Sequence, residues 1–291
     1  MNDNLPNPIS FETALTSFFK HLTEFKRSSA TITAYKSDLL QLSKYMEEHR
    51  ITQATTVTTA HLNEFVAYLS SNGYIPKSVS RKINSMKTFF KFLVSNDSIT
   101  TNPSTSVVHP KFTVAPPRML SAQEFKSLRD ACRLDIRMNA VIELLLQTGI
   151  RIGELANIKM EDYRKNELYI RPFENNPGRT VPLGKNTMSA LANYLAIRPD
   201  VYEQAFFVTK TGRPLLIRNM RAAIDRYFRI AGIKSVKVND LRHTFVVAQI
   251  QGGVDFTYLA KILGHKRDVS INRYLLFIKA TRGNLNKLVE L

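Results

Sequence analysis

Four short segments carry residue types able to act on an oxyanion. Thr148-Gly149-Ile150-Arg151-Ile152-Gly153-Glu154-Leu155 sets an arginine at a helix start, just after a glycine turn. Asp240-Leu241-Arg242-His243-Thr244-Phe245 sets a second arginine near another helix N-terminus. Leu263-Gly264-His265 leaves a histidine past a helix end, and Tyr274 follows nine residues later in Ile271-Asn272-Arg273-Tyr274-Leu275. Arginine offers a planar, permanently charged fork. Histidine exchanges protons near neutrality. A tyrosine hydroxyl can serve as a nucleophile. Each residue alone has a plainer reading. An arginine at a helix start is usually solvated, a histidine after glycine is usually a loop or cap residue, and a tyrosine beside Leu275 and Leu276 is usually core. The combination, in this order, carries the weight.

These segments need elements to hold them. The first hundred residues read as helices over Ser10–Phe25, Ala30–His49, Thr59–Ser71 and Lys77–Asn96, from apolar residues near 3.6-residue spacing. Residues 1–99 are therefore expected to form a four- or five-helix bundle. The stretch 100–118 holds Pro103, Pro110, Pro116 and Pro117 among Ser and Thr, and reads as a linker. Helical patterns resume at Ser121, an N-cap with Glu124 three residues on. An apolar run from Arg137 to Gln147 reads as a buried helix. Leu168–Pro172 and Arg179–Leu183 read as strands around the turn Asn175-Asn176-Pro177-Gly178. Further helices are expected over Asn186–Ile197, Ile217–Ile230, Asn239–Gln251, Phe256–Leu263 and Asp268–Phe277. The fold class is mainly α: a helical bundle, then an α-rich domain over 119–291 with a small antiparallel sheet.

Charge narrows the partner. The 291 residues carry a net charge of +17. Residues 1–110 hold 11 Lys+Arg against 8 Asp+Glu, and residues 111–291 hold 30 against 16. The basic excess sits in the second part and is interleaved with acids and aromatics, as on a folded surface that meets a polyanion such as nucleic acid. An anionic membrane surface is the other reading of the charge. No run of eighteen apolar residues marks a membrane span, and Met1–Ser10 is polar, without a secretory signal. The single cysteine, Cys132, cannot form an internal disulfide and reads as a small buried apolar residue. Cytoplasmic residence is the default expectation.

The ordered set Arg151, Arg242, His265 and Tyr274 resembles the tyrosine recombinase (phage integrase) family. The resemblance covers nearly the whole chain and is strongest over Thr148–Leu155 and Asn239–Leu275. Ala30-Thr31-Ile32-Thr33-Ala34-Tyr35 and Ser80-Arg81-Lys82-Ile83-Asn84 resemble its SAM-like core-binding domain. The resemblance implies site-specific DNA cutting and rejoining through a 3′-phosphotyrosyl intermediate, in the integration, excision or resolution of a mobile element. Arg151 and Arg242 would bracket the scissile phosphate and stabilise its transition-state charge. His265 would add a hydrogen bond, Tyr274 would attack, and Glu154 would orient the site as an accessory carboxylate. No cofactor and no metal are implied, and the sequence has no P-loop and no Cys/His cluster.

Two positions depart from the family. Its hairpin lysine, a proton donor to the leaving 5′-oxygen, aligns with Glu174. Lys165 and Lys185 flank the hairpin as possible substitutes, with water as a third. The histidine usual three residues before Arg242 is Asn239, able to hydrogen-bond a phosphate but not to act as acid or base. On the polar face of the fourth helix, Lys77, Arg81, Lys82 and Lys87 are expected to meet a DNA groove. The chain opens almost directly on the bundle, as in simple Xer- or Cre-like recombinases and transposon resolvases without an arm-binding domain. Expected partners are double-stranded DNA with an inverted-repeat core site, further copies of this chain (a dimer per site, a tetramer in synapsis) and accessory proteins. The tail Leu275–Leu291 is expected to pack on a neighbouring protomer. Two alternatives remain at this point: a catalytically impaired DNA-binding relative, and a type IB topoisomerase-like enzyme.

Overall fold

The computed structural model describes residues 8–113, 115–174, 176–264, 274–275, 285 and 287–291. The chain divides into two compact units, Met1–Val114 and Ala115–Leu291.

The first unit holds α1 (Phe11–Glu24), α2 (Ser29–Glu48), α3 (Thr59–Ser71) and α4 (Pro76–Ser95). Each start has a local cause. The Ser10 and Ser28 hydroxyls accept the N–H groups of Thr13 and Thr31, Thr58 forms a capping box with His61, and Pro76 opens α4. The apolar faces meet in a core built around Phe18, Leu39, Phe65, Phe89 and Phe90. Much of the proline-rich stretch also belongs to this unit. Ile99 and Val107 are buried in its core, Thr59 donates to the Pro103 carbonyl, and Ser80 hydrogen-bonds His109. Proline marked this stretch as non-helical, but non-helical backbone can still pack.

The second unit begins with α5 (Ala122–Cys132), held by the Ser121–Glu124 capping box, and α6 (Ile136–Thr148), capped by Asp135. The run expected to be buried is so: every residue from Ala140 to Thr148 is buried. Next come the short α7 (Ile152–Ala156), the strands β1 (Tyr163–Arg164), β2 (Glu167–Ile170) and β3 (Arg179–Pro182), then α8 (Lys185–Ile197), α9 (Ile217–Ile230), α10 (Val238–Gln251) and α11 (Phe256–Leu263). The sheet is antiparallel in the order β1-β2-β3, with Leu168 opposite Val181 and Ile170 opposite Arg179. The two-residue β1 was too short for its sequence to announce. The helix expected over Asp268–Phe277 lies largely outside the described residues.

One glycine fixes the geometry between α6 and α7. Gly149 ends α6 with φ +62°, and a Cβ there would lie 2.3 Å from the Phe245 ring. A left-handed, side-chain-free residue lets α10 approach and turns the chain so that Arg151 opens α7.

Candidate active site

Glu154 is the anchor. Its side chain is fully buried on α7. The Arg151 N–H donates to Oε2 at 2.8 Å, and Arg151 Nη1 reaches Oε1 at 3.3 Å. Arg179, on β3, forks the same carboxylate with two 2.9 Å bonds, and its Nε donates to the Ile262 carbonyl at 2.6 Å. Burial pushes the Glu154 carboxyl up, but the Arg179 fork and charge and the Arg151 N–H outweigh it and hold the group below the ordinary carboxylate range.

Arg242 enters from the second turn of α10 and is buried. Its Nη1 donates to the Gly149 carbonyl, and its Nη2 to the Leu263 carbonyl at 3.0 Å. These carbonyls end α6 and α11, where the helix dipole favours a cation. Burial, and next the charge of Arg151, push the guanidinium down to about 9, against the pull of Glu154. Arg179 and Tyr274 also act on it electrostatically. Three guanidiniums thus share one carboxylate, and an arriving phosphate would relieve their repulsion. Arg151 keeps 35% of its side chain exposed, so one of the three is open to such a ligand.

Tyr274 is buried, at 2% exposure. Its hydroxyl lies 2.6 Å from His243 Nδ1, and His243 Nε2 lies 2.8 Å from the exposed Asn239 amide. The structure thus draws Arg151, Glu154, Arg242 and Tyr274 into one electrostatic neighbourhood and links Asn239 to it through His243. His265 lies outside the described residues.

Two members of this cluster, Arg179 and His243, were not expected as site residues. Arg179 left one signal: strand alternation puts it on the same face as the buried Val181, and a charge on a buried face needs a counter-charge. His243 lay inside a quoted segment, but only the fold brings its ring to Tyr274. Arg171, the other basic residue of the hairpin, pairs with Glu161 and Asp162 instead.

The hairpin positions are clear. Glu174 is exposed, in a left-handed turn with φ +52°. Lys165 and Lys185 lie beyond the Glu167–Pro182 end of the β2–β3 ladder, whereas Arg179 sits at the opposite end, opposite Ile170. On α4, Lys77 is exposed and Lys87 half-buried. Arg81 keeps 51% of its side chain exposed while pairing with Asp38. Lys82 departs from the expectation of a DNA-facing residue. It is buried at 5% exposure, and its ammonium is 3.0 Å from Asp38, which also accepts from Ser85. A buried acid on α2 draws that lysine inward.

Residues 118–277 match the phage integrase family, and residues 15–97 match the phage integrase N-terminal SAM-like domain. Tyrosine recombinase XerC of Staphylococcus carnosus is 29% identical over 256 residues, covering 85% of this chain and 86% of that one. The Tn1549 transposon integrase, solved with transposon right end DNA, matches with a TM-score of 0.78 over 94% of this chain and 96% of that one. A lambda integrase tetramer bound to a Holliday junction matches with a TM-score of 0.75 over 91% and 80%. Both structures are 17% identical to this chain, a likeness that shows the fold. The chain belongs to the phage integrase family, the tyrosine recombinases. It is a site-specific recombinase, an enzyme of DNA strand cleavage and transfer.

Proposed function

We propose that Tyr274 is the nucleophile of this recombinase and that Arg151, Arg242 and His265 hold the scissile phosphate. The observation that carries this is the meeting of Arg151, Glu154, Arg242 and Tyr274, drawn from three segments spread along the second unit, in one largely buried, net-positive cluster. The Tyr274 oxygen attacks the phosphorus, the bond to the 5′-oxygen breaks, and a 3′-phosphotyrosyl link stores the bond energy. A 5′-hydroxyl from the partner duplex reverses the step. The arginines stabilise the charge that grows on the non-bridging oxygens, an effect of about 2.7–4 kcal/mol for one such donor. Glu154 and Arg179 touch no DNA in this scheme. They fix the backbone from which Arg151 projects.

The partner is double-stranded DNA with an inverted-repeat core site, read in part from α4 by Lys77, Arg81 and Lys87. The enzyme works as a dimer on each site and a tetramer in synapsis, in the cytoplasm where the DNA lies. No described helix is long and apolar enough to cross a membrane. Val289 and Leu291 are seated on the second unit of their own chain. Gln249 brackets Val289 with two 2.7 Å bonds, and Gln147 brackets Leu291. The same seat on one protomer would take the tail of another in the assembly. Moving a mobile element by integration, excision or resolution is the role that fits.

The test is a nicked suicide DNA substrate. The protein is expected to form a covalent DNA adduct that Tyr274→Phe cannot form. An adduct that persists in Tyr274→Phe would overturn the assignment. Absence of any adduct in the unaltered protein would favour a DNA-binding relative without catalysis.

A further inference from the structure

We infer that His243 takes the proton of the Tyr274 hydroxyl during cleavage, and that Asn239 holds its ring in the form that can do so. This rests on Tyr274 as the nucleophile. A tyrosine hydroxyl attacks a phosphate poorly while it keeps its proton, and a base within hydrogen-bond reach solves that problem. His243 Nδ1 is 2.6 Å from the hydroxyl oxygen. The two rings are tilted at 56° with centroids 5.7 Å apart, so the contact is edge-on through the nitrogen rather than stacked.

The imidazole can accept at Nδ1 only if its proton sits on Nε2. Nε2 lies 2.8 Å from Asn239 Nδ2, one helical turn earlier on α10, and the ring accepts at Nδ1 once that amide is turned end for end. The two ends of an amide are interchangeable at such a site. With Oδ1 toward the ring, Asn239 accepts from Nε2–H and fixes the tautomer in which Nδ1 is the accepting nitrogen. The histidine, its orienting partner and the nucleophile then follow the logic of a base aimed by a third group. The neighbouring Arg242 is held by the carbonyls of Gly149 and Leu263 and feels the charge of Tyr274. One helix turn thus serves both the phosphate and the nucleophile.

The step balances. The proton leaves the Tyr274 oxygen for His243 Nδ1 as the oxygen–phosphorus bond forms. The bond to the 5′-oxygen breaks, and that oxygen takes a proton from water. On rejoining, an incoming 5′-hydroxyl gives its proton to water, and the departing tyrosine oxygen recovers its own from His243.

The experiment measures single-turnover cleavage of a nicked substrate carrying the DNA site recovered from covalent complexes. His243→Ala is expected to slow cleavage by about a hundred-fold or more, the lower end for general base catalysis. Added imidazole should restore part of the rate. His243→Gln can hydrogen-bond the hydroxyl but cannot take its proton, and it should be comparably slow. A 5′-bridging phosphorothiolate, whose leaving group needs no acid, should leave both variants slow. Asn239→Leu should slow cleavage, and Asn239→Asp, which still accepts from Nε2, should restore it. A His243→Gln enzyme as fast as the unaltered one overturns the inference. So does full rescue of His243→Ala by the phosphorothiolate, which would place the histidine on the leaving group. The unaltered protein's adduct, and its loss in Tyr274→Phe, report on the nucleophile separately.

Discussion

At the scale of single residues, Glu154 decides how the site is held. Its carboxylate is fully buried, and the Arg179 fork makes that burial tolerable. Arg179→Met takes away the fork and leaves the charge with the Arg151 bonds and the more distant field of Arg242. Removing one partner of such a buried pair costs about 3–5 kcal/mol, and urea unfolding at neutral pH is expected to read a loss in that range. The acid side follows from the lowered Glu154 group. Its stabilising contribution is present above the ordinary carboxylate range and is lost as pH falls through the lowered value. The difference between the two proteins should therefore shrink in acid. A constant difference across that range would mean that Arg179 acts through packing rather than through Glu154. In the sequence, Arg151 and Arg242 were legible because they stand in short segments whose order is distinctive. Arg179 was not, because its meaning depends on which face of β3 is buried. His243 was not, because its partner is 31 residues away along the chain.

At the scale of elements, local signals were the ones the sequence disclosed. The Ser121–Glu124 capping box, the apolar run of α6 and the hairpin of β2 and β3 all depend on residues a few positions apart. The polar face of α4 was legible as a face, but Lys82 belongs to it only by spacing. Asp38, two helices earlier, turns it into a core residue. The sheet register settles another matter of distance. Lys165 and Lys185 extend from the end of the ladder opposite Arg179, and four paired residues at about 3.3 Å each separate the two ends by roughly 10 Å. Replacing either lysine with alanine is expected to change cleavage of an ordinary phosphodiester by less than about two-fold, within the spread of surface substitutions. A large loss in either variant, rescued by a 5′-bridging phosphorothiolate, would make that lysine the proton donor after all.

At the scale of the whole molecule, charge sets the terms of binding. The net charge of +17 is concentrated in residues 111–291, the part that also holds the arginine cluster. Each phosphate neutralised releases counterions, so affinity falls steeply with salt. If six phosphates are engaged, raising salt from about 50 to about 200 mM should weaken DNA binding by about a thousand-fold. A salt response near zero would place the basic surface elsewhere than on DNA. The central claim, however, rests on one oxygen atom in this basic unit. Mass spectrometry of peptides from the trapped covalent complex reads it directly. The account predicts a DNA 3′-phosphate esterified to Tyr274; the same phosphate on any other residue would contradict it.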